Sequence, residues 1–285
     1  MLQTIKKLFM ISRPISWVNT AFPFAAGYIV TGGTNWPLLI VATIFFLIPY
    51  NLLMYGINDV FDYESDMRNP RKGGIEGARE QKAFHPTILV ASIGLTIPFT
   101  LWLLLQGSFE AKLTLLALIF FVVAYSAKHL RFKEIPVLDS ITSSLHFVGP
   151  LVYALVLTNS VTPGLTVITA FFFWGMASHA LGAIQDIIPD REGRLASIAT
   201  VFGARATLWL VILLYTASAL LISLQGIWGV IIGLTSLLYV ANCLPYLTIT
   251  DETSGSIHPA WRRFIWLNLI VGFVVTISLI LQSLA

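Results

Sequence analysis

The chain has 285 residues, 56% of them apolar and only 11% charged, with a single cysteine. A soluble domain carries about a quarter of its residues as charges, so this composition excludes a water-soluble globule and indicates a chain folded within a bilayer. The formal charge of +3 is too small and too dispersed for a nucleic-acid surface, and Cys243, which can close no internal disulfide, is read as packing.

The amino terminus, MLQTIKKLFMISRPISW, carries Lys6, Lys7 and Arg13 but no small-residue cleavage pattern after a short apolar core, so no removable signal peptide is expected. Hydrophobic runs long enough to cross a bilayer then recur at about 15–32, 37–58, 86–106, 111–127, 136–157, 163–185, 207–224, 227–248 and 262–284. The fold predicted is all-α, a polytopic membrane protein with nine transmembrane helices. Placing the amino terminus in the cytoplasm puts every Lys and Arg except Lys112 on the inner side, while the opposite loops near 32–35, 159–163 and 225–226 are short and uncharged. The positive-inside rule is satisfied, and every polar cluster falls on the cytoplasmic face.

In chain order, the first run opens on Arg13-Pro14, with Trp17 read as an interfacial anchor and Asn19 as facing an internal cavity. The second run ends in NLLMYGINDVFDYESDMRNPRK. If helix continues through it, Asn58, Asp62 and Asp66 stand at i, i+4 and i+8 and line one stripe, while Asp59 and Glu64 lie off that face and are expected to cap or to pair with the basic loop. That loop, 68–86, is the longest in the chain, contains three glycines and mixed charge, and reads as a lid or a solvated linker. Tyr125 ends the fourth run, and Lys128, His129, Arg131 and Lys133 crowd the next cytoplasmic loop. The fifth run carries Asp139, Ser140, Thr142, Ser143, Ser144 and His146, a density of polar groups that normally faces the protein interior. At the end of the sixth run Asp186 and Asp190 are again four apart, next to Gln185, and Pro189 is expected to bend the chain. Runs two and six thus each deliver an acidic i, i+4 pair followed by Arg and Gly, a weak internal repeat. The domain reading is a single integral membrane domain, 1–285, with two pseudo-repeated bundles at about 1–130 and 131–285. Asn242 and Asn268 are read as hydrogen-bonding neighbouring helices, and His258 and the Arg262-Arg263 pair as topology.

Two carboxylate clusters on one membrane face require counter-charge. Magnesium takes oxygen ligands and is held by one or two carboxylates while it bridges to a phosphate. Asn58, Asp62 and Asp66 on one side and Asp186 and Asp190 on the other have the chemistry to hold two such ions. Arg68, Arg71, Lys72, Lys128, Arg131 and Lys133 then have an anion to bind, and a diphosphate between the metals fits. A prenyl tail on that diphosphate would lie among the apolar helices, and the allylic cation left after departure would be shielded from water.

NDVFDYESD has the NDxxDxxxD form of the first aspartate motif of the UbiA superfamily of intramembrane prenyltransferases, and Asp186-Ile-Ile-Pro-Asp190 has the DxxxD form of its second. The segments SRPISWVNTAFPFAAGY, FFLIPYNLLMYGINDVFDYESDMRNPRKGG and LRFKEIPVLDSITSSLHFVGP resemble the bacterial lycopene elongases within that superfamily. The resemblance covers essentially the whole chain. It implies a magnesium-dependent transfer of a dimethylallyl unit from dimethylallyl diphosphate to each end of lycopene, giving fifty-carbon carotenoids of the flavuxanthin type, in a multi-pass protein of the bacterial plasma membrane with a cytoplasmic active site. It also implies that Asp62, Asp66, Asp186 and Asp190 are catalytic, that with Asn58 they hold the metal, and that Tyr125 contacts the diphosphate. Many family members have YxxxK after the fourth span, whereas Tyr125 is followed here by His129, with lysine at 128, so Lys128, Arg131 and Lys133 are all candidates for the phosphate.

An aromatic acceptor, as in quinone, haem or chlorophyll-type biosynthesis, keeps the same chemistry, and only similarity separates the two. A transporter would place its carboxylates near the midplane at broken helices, not at one face beside a basic set, and a structural scaffold explains none of the acidic spacing. Candidates for taking a proton at the end of the reaction are His146, His179 and Asp139, each of which also reads as a satisfied polar contact between helices.

Overall fold

A computed structural model describes residues 2–68 and 80–284, and all regular structure among the described residues is helical. The chain divides into two compact units, Met1–Phe132 with Leu145–Val161, and Lys133–Ser144 with Thr162–Ala285. The first contains α1 (Leu2–Ile11), α2 (Val18–Val30), α3 (Trp36–Leu47), α4 (Pro49–Phe61), α5 (Tyr63–Arg68), α6 (His85–Leu104), α7 (Phe109–Ser126) and most of α8 (Leu138–Leu157). The start of α8 belongs to the second unit, with α9 (Val161–Ile184), α10 (Ile187–Glu192), α11 (Ile198–Phe202), α12 (Ala204–Ser223), α13 (Gly226–Cys243) and α14 (His258–Leu284).

Eight spans among the described residues are long and apolar enough to cross a membrane. The expected first run instead folds as a 3₁₀ turn, Pro14–Ser16, followed by α2, which has 13 residues with Pro23 inside. At 1.5 Å per residue α2 covers about 20 Å, short of the roughly 30 Å hydrocarbon core. The ninth element is present but is not a full crossing on its own.

The second run is broken at Ile48, because Pro49 has no N–H to give and starts a new helix as its first residue. Carbonyls at the end of α3 then need other donors. The buried Asn51 amide donates to Phe46 O at 2.8 Å and Leu47 O at 3.1 Å, and Thr20 on α2 donates its hydroxyl to the same Phe46 carbonyl at 2.8 Å. Asn51 also donates to Thr20 Oγ1 at 2.7 Å, so one polar knot repairs the kink and ties α2 to α3 and α4. Around it Phe24, Phe45, Phe46, Tyr50 and Tyr153 form an aromatic core with ring centroids 5.0–6.0 Å apart.

The second unit packs α9, α12, α13 and α14 around Leu181, Ile184, Leu208, Tyr215, Tyr239 and Phe264. Cys243 is fully buried there, as the packing reading expects. Asn242 donates to Ala260 O at 2.8 Å and Asn268 accepts from the Tyr239 hydroxyl at 2.8 Å, so both intramembrane asparagines join helices. Gly203 separates α11 from α12 at φ 78, a conformation that favours glycine, and a Cβ there would also crowd Asp251 Oδ1 at 3.0 Å. Large apolar side chains such as Val90, Leu213 and Phe273 stand well exposed on helices whose backbones are internally bonded, the surface that hydrocarbon accepts.

Candidate active site

In the first unit α4 ends at Phe61, and Asp62 takes φ −98, ψ −1 before α5 begins. The sequence expectation of continuous helix is therefore modified by a bend at Asp62. Register survives it: Asp62 N donates to Asn58 O at 2.9 Å and Asp66 N donates to Asp62 O at 2.8 Å. The i, i+4, i+8 stripe consequently persists, with the Asp62 and Asp66 carboxylates both buried. Asn58 Nδ2 donates to Asp62 Oδ2 at 2.6 Å and to Ser126 Oγ at 3.0 Å, which orients the carboxylate against the end of α7.

Positive charge reaches this stripe from two sides. Arg131 Nη2 lies 3.6 Å from Asp62 Oδ1, and its Nη1 donates to Phe61 O at 3.4 Å. Asp59, off the stripe as expected, pairs with Arg13 at 2.8 Å, and the Arg13 guanidinium lies 4.1 Å over the Tyr55 ring. Glu64 does pair with that loop, through Lys82. Tyr125, half-buried, sets its ring edge-on to His146 with centroids 5.1 Å apart. Lys128 is exposed and Lys133 half-buried, at the start of the second unit. Arg68 closes α5; its side chain, together with Arg71, Lys72 and most of the expected lid, lies outside the described residues. Asn19 is half-buried on α2, and Trp17 turns its indole N–H to Ser12 O at 3.0 Å.

In the second unit the same backbone device recurs. α9 ends at Ile184, Asp186 takes φ −98, ψ 1, and the six-residue α10 follows. Asp190 N donates to Asp186 O at 2.9 Å, and Asp190 is the fourth residue of α10 just as Asp66 is of α5. Pro189 was expected to cause a bend. The break instead precedes it, at Gln185 and Asp186, and Pro189 sits in the first turn of α10, where a missing N–H costs no helix bond. Both aspartates are half-buried.

Next to the second motif Asp139, fully buried, accepts from Ser140 N and from Ile198 N, both at 2.7 Å, and so caps α11. The hydroxyl of Ser140 is 3.0 Å from His179 Nδ1. Sequence reasoning missed the residues that hold the flanks of this motif. Arg191 Nη1 is 2.7 Å from Asp251 Oδ2, its Nη2 donates to Thr200 O at 2.8 Å, and His258 Nδ1 donates to Gln185 Oε1 at 2.7 Å. Asp251 also takes the Ala204 N–H at 2.7 Å. That amide first, and Arg191 with it, holds the Asp251 carboxyl below its ordinary value.

Each motif offers two carboxylates, and the first an amide oxygen besides. Among the described residues no three His, Cys, Asp or Glu side chains converge into a closed metal cage. Hard oxygen donors in pairs suit magnesium, which keeps waters and completes its shell with substrate phosphate, so the residues present fit that ion.

Comparison with known proteins gives the same direction. Residues 20–270 match the UbiA prenyltransferase family. The chain is 47% identical over 283 residues, 98% of its own length and 98% of the relative's, to a lycopene elongase/hydratase of Corynebacterium glutamicum. It has the fold of two solved UbiA homologues. The one from Aeropyrum pernix, in its apo form, has a TM-score of 0.69 at 16% identity, covering 94% of this chain and 98% of that one. The one from Archaeoglobus fulgidus, solved with DMAPP and Mg2+, has a TM-score of 0.63 at 18% identity, covering 95% and 99%. A transporter or scaffold is set aside: the chain belongs to the UbiA prenyltransferase family and is an intramembrane prenyltransferase.

Proposed function

We propose that the enzyme transfers a dimethylallyl group from dimethylallyl diphosphate to the ends of lycopene, giving fifty-carbon carotenoids of the flavuxanthin type. The observation that carries this reading is the 47% identity, at 98% coverage of both chains, to a protein named lycopene elongase/hydratase. The donor is supported by the chemistry of the two motifs, acidic pairs beside Arg131 and the other basic residues, which suit a diphosphate.

Magnesium, when bound, would neutralise charge developing on the departing diphosphate. Asp62 and Asp66 of the first motif and Asp186 and Asp190 of the second would hold it. Asn58 fixes the Asp62 carboxylate from beneath, and its amide oxygen is the further ligand. Arg131 approaches Asp62 loosely, at 3.6 Å, a distance from which its guanidinium can turn to a phosphate oxygen with a bidentate, charge-assisted contact. Lys128, Lys133, Tyr125, Arg68, Arg71 and Lys72 are the remaining diphosphate contacts in this reading, and Asn19 lines the substrate cavity. The donor's C1–O bond breaks with its electron pair leaving on the diphosphate, a terminal lycopene double bond supplies the pair that forms the new C–C bond, and the cation this leaves on the carotenoid is discharged by loss of a proton or by addition of water and loss of its proton. Apolar walls keep water from the allylic cation in between.

The arrangement of Lys and Arg along the chain supports a cytoplasmic amino terminus and active site in the bacterial plasma membrane. The recurrence of one backbone bend supports a single membrane domain built of two pseudo-repeated bundles. Expression in a lycopene-accumulating host tests the acceptor: pigments should gain five-carbon units by mass. Protein present in the membrane with lycopene unchanged would refute a carotenoid acceptor and leave the aromatic one.

A further inference from the structure

The segment from the α13–α14 loop, residues 244–257, to His258 at the start of α14 gave only a topology reading of His258 in the sequence, yet it reaches both flanks of the second aspartate motif. We propose that Asp251 and His258 are positioning residues that hold the Asp186–Asp190 turn in its metal-binding shape; this rests on the magnesium reading of that motif. Gln185 immediately precedes Asp186, is buried, and takes the His258 Nδ1–H at 2.7 Å. Arg191 immediately follows Asp190 and is fixed by Asp251 at 2.7 Å and by Thr200 O at 2.8 Å.

The loop is itself rigidly seated. Ile249 and Ile257 are buried in the same core as Ile187 of α10 and Ile198 of α11, and the 3₁₀ turn Ser254–Ile257 packs against α10. Asp251 is further locked by the Ala204 N–H at the start of α12. Both ends of the motif are therefore tied to one inflexible segment, while Asp186 and Asp190 lie between the ties.

The Arg191 tie has a second consequence. A guanidinium next in sequence to a proposed metal ligand would compete for its carboxylate, and Asp251 turns that charge aside. An ion pair whose partners are 46% and 31% exposed contributes little to folding, so stability alone does not account for it. The expected signature is a loss of metal affinity in a folded protein.

The test is Mn2+ binding to the purified full chain in detergent, read by electron paramagnetic resonance, with and without inorganic diphosphate. Asp251→Asn keeps an oxygen for the Ala204 N–H and replaces the charged acceptor that faces Arg191 by an NH2 group. His258→Ala removes the other tie, and His258→Asn returns an N–H donor. Outer-shell partners of metal ligands are worth about 10- to 100-fold in affinity, so Asp251→Asn and His258→Ala should each weaken Mn2+ binding about tenfold. Asp251→Asn should unfold at an unchanged temperature, His258→Asn should recover part of the loss, and exposed Glu252→Gln should bind as the parent does. Parent-like binding by both Asp251→Asn and His258→Ala overturns the proposal. If His258→Ala does not fold, parent-like binding by Asp251→Asn alone overturns it. Absence of Mn2+ binding by the parent chain would instead remove the magnesium reading, and the proposal with it.

Discussion

Replacing Arg13 by Ala tests how the first motif is anchored. Its guanidinium donates to Asp59 Oδ1 at 2.8 Å, the Asp59 side chain is only 2% exposed, and the same guanidinium covers the Tyr55 ring at 4.1 Å. Removing one partner of a buried pair costs about 3–5 kcal/mol, because the remaining charge keeps its desolvation without this attraction. Loss of the contact over Tyr55 adds about 1 kcal/mol. Arg13 is itself 17% exposed, so water can enter where it stood, and the low end, about 4 kcal/mol in all, is the better expectation. At about 2–4 °C per kcal/mol for a chain this long, the unfolding temperature should fall by roughly 8–16 °C. Asp59→Asn in the Arg13→Ala background removes the buried charge that Arg13 compensated and should recover at least half of that loss. Thermal unfolding in detergent, followed by tryptophan fluorescence, measures both. If the double variant melts as low as Arg13→Ala alone, the loss comes from the packing of the arginine and the electrostatic reasoning is wrong.

Asp62→Ala or Asp186→Ala should lower prenyl transfer at saturating magnesium by at least about a hundredfold, the order expected when a group that stabilises developing charge is removed; retained turnover in a membrane assay would sink the two-metal reading. Asp139→Asn should retain transfer, because the Asp139 carboxylate is committed to two backbone N–H groups at 2.7 Å. Asp139→Ala should destabilise the protein by about 2–3 kcal/mol through the buried donors it strands, and a loss of turnover in a fully folded Asp139→Asn would instead make it a proton acceptor.

What could be read before the structure was what chemistry and spacing encode locally. The i, i+4 aspartate pairs, the apolar runs and the polar face of α8 follow from one segment each. The bend at Asp62 was not legible, since a stripe at i, i+4, i+8 is the same whether the helix is continuous or broken with its register kept. The break at Ile48 falls at Pro49, inside the run 37–58 that the sequence presents as one span, and the repair by Asn51 required knowing where Thr20 would lie. Pro189 misled for a related reason: proline marks a helix boundary, but the boundary lay before it, so its missing N–H fell on an amide the helix leaves unbonded anyway. Asp251 gave no signal, and His258 only a topological one. Their partners, Arg191 and Gln185, lie far back along the chain, and a tertiary contact between a loop and a motif leaves no periodicity in either.

The two motifs also differ in a way that bears on mechanism. Their backbones nearly coincide, φ −98 with ψ −1 at Asp62 and φ −98 with ψ 1 at Asp186, each followed by a six-residue helix carrying the second aspartate fourth. Their supports do not. The first is held on the aspartates' own face by Asn58, Ser126 and Arg131, and from behind by Arg13 through Asp59. The second is held at its sequence neighbours, Gln185 by His258 at the start of α14 and Arg191 by Asp251 in the loop before it. On the magnesium reading, a metal taken at Asp62 would replace the Asn58 and Arg131 contacts there, whereas the contacts at Gln185 and Arg191 would stay in place when a metal is taken at the second motif.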